Sequence, residues 1–275
     1  TDAKQTIEGI GQAGTDLLIV DHYAIDANWE SVLREHAKTL LVIDDLADRE
    51  HNCDFLLDQN LVDNLYSRYD GLLPQHAHRF LGPEFALLQP EYKAFAKRTP
   101  SRQGAIKRVL VYFGEADTEN LTGKVITAFL SLLSSDIELD VIVNEKSPHF
   151  GAVKQQASKS THIRLHNQLP SLALLMVKAD LAIGASGATS WERCCLGLPS
   201  LVISLADNQK PIASELNRQG YIRYIGHVDE INEDHISHVL GEVFASDIPD
   251  DWSAHCRRLV DGCGASRIAS ILMLN

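Results

Sequence analysis

The sequence predicts a two-domain α/β protein built on parallel sheets. Three observations predict it: short continuous apolar runs alternate with helical patterns almost throughout, a basic stretch interrupts the rhythm near residue 100, and the rhythm restarts beyond it. Strands that are apolar along their whole length belong where helices cover both faces of a sheet.

Taken in order, "DLLIVD" (16 to 21), "TLLVID" (39 to 44) and "DFLLDQN" (54 to 60) read as strands. The helix between the first two, "DANWESVLREHAK", repeats Trp29, Val32, Leu33 and His36 at helical spacing. Residues 93 to 107, "KAFAKRTPSRQGAIK", combine five Lys or Arg with a Pro, a Ser and a Gly, and read as a linker. Beyond it come "RVLVYFG" (108 to 114), a helix near 120 to 133, "ELDVIVN" (138 to 144), a helix near 150 to 158, "HIRLH" (162 to 166) and a helix near 170 to 178. "LAIGASGATSWERCCLGLPSLVIS" (181 to 204) then runs strand, loop, helix, strand, and is followed by a helix near 210 to 219, "YIRYIG", and helices near 231 to 245 and 251 to 272. The expected domains are 1–98 and 104–275. The first shows only three strands where doubly wound domains usually have five or six, so it is expected to be incomplete, lacking two or three βα units at its N-terminus.

With 275 residues, 45% apolar and 23% charged, the chain is long enough for two ordinary globular cores. A formal charge of −12 argues against a nucleic-acid partner, because such affinity depends on Lys and Arg displacing counterions. No run approaches the roughly 18 apolar residues of a membrane span, and no secretory signal opens the chain, so the expectation is a cytoplasmic protein without membrane contact. The five cysteines, Cys53, Cys194, Cys195, Cys256 and Cys263, show no C-x-x-C spacing and read as reduced thiols; neither metal nor cofactor is implied. Oligomeric state is not readable from the sequence.

The candidate site is the loop after "LAIG". Ala185 to Ser190 supplies backbone that a ligand approaches closely, hydroxyl donors and a helix start, which together suit a diphosphate. Glu192 fits two roles, a favourable charge in a first helical turn or an acceptor for a ribose diol. Asn208 and Gln209, just past the next strand, both donate and accept, as an N-acetylated sugar requires; they fit equally as ordinary loop amides. Tyr23 suits packing at a strand end as well as a ligand contact, and Asp44 with Asp45 suit capping as well as chemistry.

The string "GASGATSWERCCLGLPSLVISLADNQKPIASELNRQGY" resembles the nucleotide-binding segment of the UDP-2,4-diacetamido-2,4,6-trideoxy-β-L-altropyranose hydrolases of pseudaminic acid biosynthesis. "LLIVDHYAIDANWE", "LLVIDDLADREHNCDFLLDQNL" and "VYFGEADTENLT" support the match, and more distantly the chain is similar to the transferase that adds N-acetylglucosamine to lipid I. The resemblance implies a GT-B architecture of two Rossmann-like domains, with a UDP-sugar as substrate. It implies that Ser186, Gly187 and Ser190 face the diphosphate, Glu192 the ribose, and Asn208 with Gln209 the sugar, with Gly114 and Asp117 also binding substrate, while Tyr23 serves catalysis from the N-terminal domain. The implied reaction is attack of water on the anomeric carbon, releasing UDP and free sugar; the rival readings are a glycosyltransferase and a binding module without catalysis. Two departures stand out. Gly114-Glu115-Ala116-Asp117 carries Glu115 where the family usually has a second glycine, and none of the twelve histidines matches the family's general base, which lies in a Gly-rich loop nearer the native N-terminus.

Overall fold

The computed structural model describes residues 2–11, 13–132 and 136–273. The chain forms two compact units, Thr1–Leu87 with Gly264–Asn275, and Leu88–Cys263.

The first unit runs α1 (Asp2–Ile10), β1 (Thr15–Asp21), α2 (Ala27–Leu33), β2 (Ala37–Ile43), β3 (Phe55–Asp58) and β4 (His78–Leu81). The strands pair in parallel in the order β1-β2-β3-β4. α2 starts where the Asp26 carboxylate accepts from the backbone amides of Asn28 and Trp29, a side-chain cap for otherwise unpaired N–H groups. Every residue of β3 is buried, Phe55 to Leu57 as the apolar run predicts and Asp58 paired with Arg68 at 2.8 Å. β4 was not foreseen, since "HRFL" is only half apolar; it is held by register with β3, where the Phe55 and Phe80 rings stack 5.6 Å apart.

The second unit runs α3 (Pro90–Ala96), β5 (Gly104–Ala105), β6 (Arg108–Tyr112), α4 (Leu121–Ser131), β7 (Glu138–Ile142), α5 (Phe150–Ala157), β8 (Ile163–His166), α6 (Ala173–Lys178), β9 (Leu181–Ala185), α7 (Thr189–Cys195), β10 (Ser200–Ser204), α8 (Gln209–Arg218), β11 (Arg223–His227), α9 (Glu233–Phe244), β12 (Asp247–Ile248) and α10 (Trp252–Leu259). Six strands form a parallel sheet in the order β11-β10-β9-β6-β7-β8, and β5 pairs antiparallel with β12. Val109, Val111, Leu139, Val141, Leu181, Ile183, Leu201 and Ile203 from its four central strands share one core with α4 and α9.

The stretch expected as a linker is built into this unit. α3 packs on α6 and α7, and the buried Arg102 guanidinium donates to the carbonyls of Met176 (2.6 Å), Ala179 (3.0 Å) and Leu196. Those are carbonyls at the ends of α6 and α7, so a residue type that suggested a solvated connection serves instead to cap two helices.

The last helix, α11 (Gly264–Leu272), lies in the first unit rather than in the expected 104–275 domain. Ile268 joins Leu41, Phe55, Leu57 and Phe80 in one buried cluster, with Ile271 and Leu272 against it. A side chain at Gly264 would overlap the backbone of Phe85 and Ala86, so the helix starts there because glycine permits the approach. No helix among the described residues is long and apolar enough to cross a membrane.

Candidate functional site

In the second unit the chain moves from β6 outward through β7 to β8, then returns to lay β9, β10 and β11 on the other side. The order therefore reverses between β6 and β9, and open parallel sheets bind ligands beyond the carboxyl ends of the strands at such a reversal. Gly184 makes the two ends meet: a Cβ there would lie 2.6 Å from the Tyr112 carbonyl oxygen, opposite it in register. The loops carrying Gly114 and Asp117, Ser186 to Ser190, and Asn208 with Gln209 all emerge at this end of the sheet.

Within the loop after β9, Ser186 is 1% exposed, and its hydroxyl has no partner among the described residues. A buried unpaired hydroxyl is uncommon and calls for a reason. Gly187 follows with open space where a side chain would stand, so its backbone is approachable. Ser190 takes another part: buried, its hydroxyl accepts from Arg193 Nη2 at 2.9 Å, while the same nitrogen donates to the Ala185 carbonyl at 2.8 Å. Arg193, which residue type alone did not single out, thus ties down both ends of the loop.

In the loop after β6, Gly114 has φ +93°, a value that favours glycine, and Glu115 is exposed. Asp117 is buried, and its two carboxylate oxygens accept from the amides of Leu121 (2.8 Å) and Thr122 (3.0 Å), which start α4. Gly114, Glu115 and Asp117 line a hollow of about 340 Å³ together with Leu205, His227 and Asp229. Beside it Ser204 Oγ stands 2.9 Å from His227 Nδ1, the spacing of a nucleophile and base, but Ser204 is 0% exposed and no substrate reaches it.

Glu192 faces α3, where it hydrogen-bonds the buried Tyr92 hydroxyl; burial raises the carboxyl pKa, and its Oε2 has no hydrogen-bond partner among the described residues. Burial and the Glu192 charge raise the Tyr92 pKa in turn, so the phenol remains a donor. Asn208 is exposed at the start of α8. Gln209 Oε1 accepts from the Leu205 amide at 2.9 Å, which orients its NH₂ as the donating end.

Tyr23 belongs to the first unit. It is 65% exposed, its hydroxyl hydrogen-bonds Asp45, and partial burial together with the Asp45 and Asp21 charges raises its pKa. The two motifs of this unit are joined by Arg49, whose Nε donates to the Ile25 carbonyl at 2.7 Å and Nη2 to the His22 carbonyl at 3.2 Å, while Nη1 pairs with Asp44 at 2.8 Å. Behind them His51 Nδ1 lies 2.7 Å from Glu30 Oε1, both buried. Burial works against a charged His51, but the Asp44 carboxylate, 3.8 Å from its Nε2, and the hydrogen bond with Glu30 prevail and its pKa is pushed up to about 9. Asp44 is correspondingly held well below the usual carboxylate range by His51, the Ala47 amide and Arg49, against its own burial. The five cysteines are free, and four are buried. Among the described residues no group of three His, Cys, Asp or Glu could hold a metal ion.

Among solved structures, MurG of Acinetobacter baumannii superposes on 99% of this chain and 76% of its own, with a TM-score of 0.61 at 10% identity. The fold is of GT-B type. The chain is also similar in sequence to several curated proteins, two of which bear on its site. One is the UDP-2,4-diacetamido-2,4,6-trideoxy-β-L-altropyranose hydrolase of Campylobacter jejuni, 26% identical over 75% of this chain and 72% of its own. The other is the spore coat polysaccharide biosynthesis protein SpsG of Bacillus subtilis, 29% identical over 70% of this chain and 57% of its own. The chain spans about half the length of several of the curated relatives it matches. No family model matches it.

Proposed function

We propose that this GT-B chain binds a UDP-linked diacetamido-trideoxy sugar and hydrolyses it at the anomeric carbon, in the manner its Campylobacter relative's name describes. The observation that carries the reading is the buried, unpartnered Ser186 hydroxyl beside the approachable Gly187 backbone, at the point where the strand order reverses.

In this reading the diphosphate lies on residues 185 to 188, with Ser186 Oγ and the Gly187 amide donating to it. The Oε2 atom of Glu192 accepts from the ribose, and Tyr92 keeps that carboxylate in place. The Gln209 NH₂ and the exposed Asn208 amide serve the acetamido sugar. Tyr23, exposed in the first unit with its hydroxyl on Asp45, keeps the catalytic part that the resemblance implies. Asp117 and Ser190 act indirectly, one by starting α4 and the other by accepting from Arg193. Water attacks the anomeric carbon, the bond from that carbon to the diphosphate oxygen breaks, UDP leaves with the electron pair, and the water proton passes to a general base. Donors fixed on the leaving diphosphate matter because its charge develops in the transition state; one such donor contributes about 10²- to 10³-fold.

A glycosyltransferase is the second reading, supported by 32% identity over 49% of the chain to a N-acetylglucosamine transferase of Exiguobacterium. Incubating the chain with the UDP-sugar and following UDP separates the two. Release without an acceptor supports hydrolysis. Release only when a sugar or lipid acceptor is added favours transfer, and binding without any release leaves a binding module.

A further inference from the structure

Arg193 is buried beneath the loop that ends β9 and makes no ion pair among the described residues. Its Nη2 donates to the Ala185 carbonyl at 2.8 Å and to Ser190 Oγ at 2.9 Å, its Nη1 to Thr189 Oγ1 at 3.1 Å, and its Nε has no acceptor. Every one of those acceptors is neutral. Burial lowers its pKa to about 10, which still leaves it charged at neutral pH. The neighbouring carboxylate, Glu192, hydrogen-bonds Tyr92 and acts on Arg193 through its charge alone.

A buried cation that makes no ion pair and donates only to neutral acceptors is costly, and well-packed apolar residues in its place are often no less stable; the charge of the adjacent Glu192 offsets only part of the burial. The cost is recovered when something anionic arrives. The same loop holds a second group in that condition, the Ser186 hydroxyl, buried and without a partner.

We propose that Arg193 is the fixed counter-charge of the diphosphate site, a positioning residue whose guanidinium holds Ala185, Thr189 and Ser190 in place and attracts the anion through the loop. The proposal deepens the UDP reading and rests on it for the identity of the anion. It also explains how a chain of net charge −12 would hold a diphosphate without a surface cluster of lysines.

Titration calorimetry of the full chain with UDP, uridine and inorganic diphosphate tests it. Arg193→Gln is expected to weaken UDP and diphosphate about tenfold or more while uridine stays within about twofold, because only the charged ligands feel the lost cation. Arg193→Lys keeps the charge and is expected to hold the UDP-to-uridine preference within about threefold of the unmodified chain. Equal losses for UDP and uridine in the Gln variant mean a structural role and overturn the proposal; so does a folded Lys variant that has lost the preference. If the Gln variant does not fold, the Lys variant alone decides. A chain that binds diphosphate in an Arg193-dependent way but not UDP keeps the anion site and removes the nucleotide reading, and a chain that binds neither overturns both.

Discussion

Glu192 and Arg193 are neighbours with opposite electrical problems: burial raises the pKa of the acid and lowers that of the base, and the charge of each offsets part of the other's shift, with Tyr92 adding a hydrogen bond to the acid. The acidic type of Glu192 was visible in "SWE", but its partner Tyr92 was not, because α3 brings that phenol in from a distant part of the chain. Asp117 and Ser190 show the converse. Both are residue types that suit a phosphate, yet their side chains are taken by α4 amides and by Arg193, a distinction that only three-dimensional neighbours reveal. At this scale the first unit offers a direct measurement. His51 has its pKa raised from an ordinary 6.5 to about 9 in the folded state, so its contribution to stability is complete below pH 6.5 and is lost as the pH climbs through 9. Chemical denaturation of the first unit's transition should therefore show stability falling between those pH values by a few kcal/mol, and His51→Gln should flatten that slope. An unchanged slope in the variant means that Glu30 and Asp44 do not hold a charged imidazole.

Among the elements, those with long apolar runs were legible and those held by register or by a single contact were not. β6 and β10 carry the continuous Val, Leu and Ile run of a doubly covered sheet, β7 and β9 are apolar at most positions, and the structure has strands where those runs lie. β4 lacks the pattern because its neighbour β3 and the stacked Phe55 and Phe80 rings define it. The basic stretch after residue 93 looked solvated, but Arg102 buries its charge against carbonyls of α6 and α7, which composition does not show. The pattern over 251 to 272 reads as one helix of the second domain, whereas the structure breaks it into α10 and α11, and the apolar face of α11 finds β2, β3 and β4. Gly264 is the point on which that docking turns. Gly264→Ala is expected to cost about 1 to 3 kcal/mol by forcing the helix start off the Phe85–Ala86 backbone. Faster hydrogen exchange in β2 to β4 would accompany the loss, and unchanged exchange would mean that α11 does not hold the first unit together.

For the whole molecule, the GT-B architecture is legible in the alternation of strands and helices together with the motif resemblance, and structural likeness to MurG supports it. The strand order was not readable, since it depends on which strands lie side by side rather than on any one of them. Yet that order gives the motifs their meaning. It sets "GASGATSWE" and the Gly114 loop at a single reversal of the sheet, where an unpaired hydroxyl, an open backbone and a buried cation meet. The central claim is that UDP binds there. Adding UDP to the isotope-labelled chain and following backbone amide resonances by NMR should shift Ser186 and Gly187 most strongly, with Gly114 following, and Ser186→Val should weaken the titration about tenfold or more. Saturable UDP binding that leaves those amides unmoved, or no binding at all, would contradict the account.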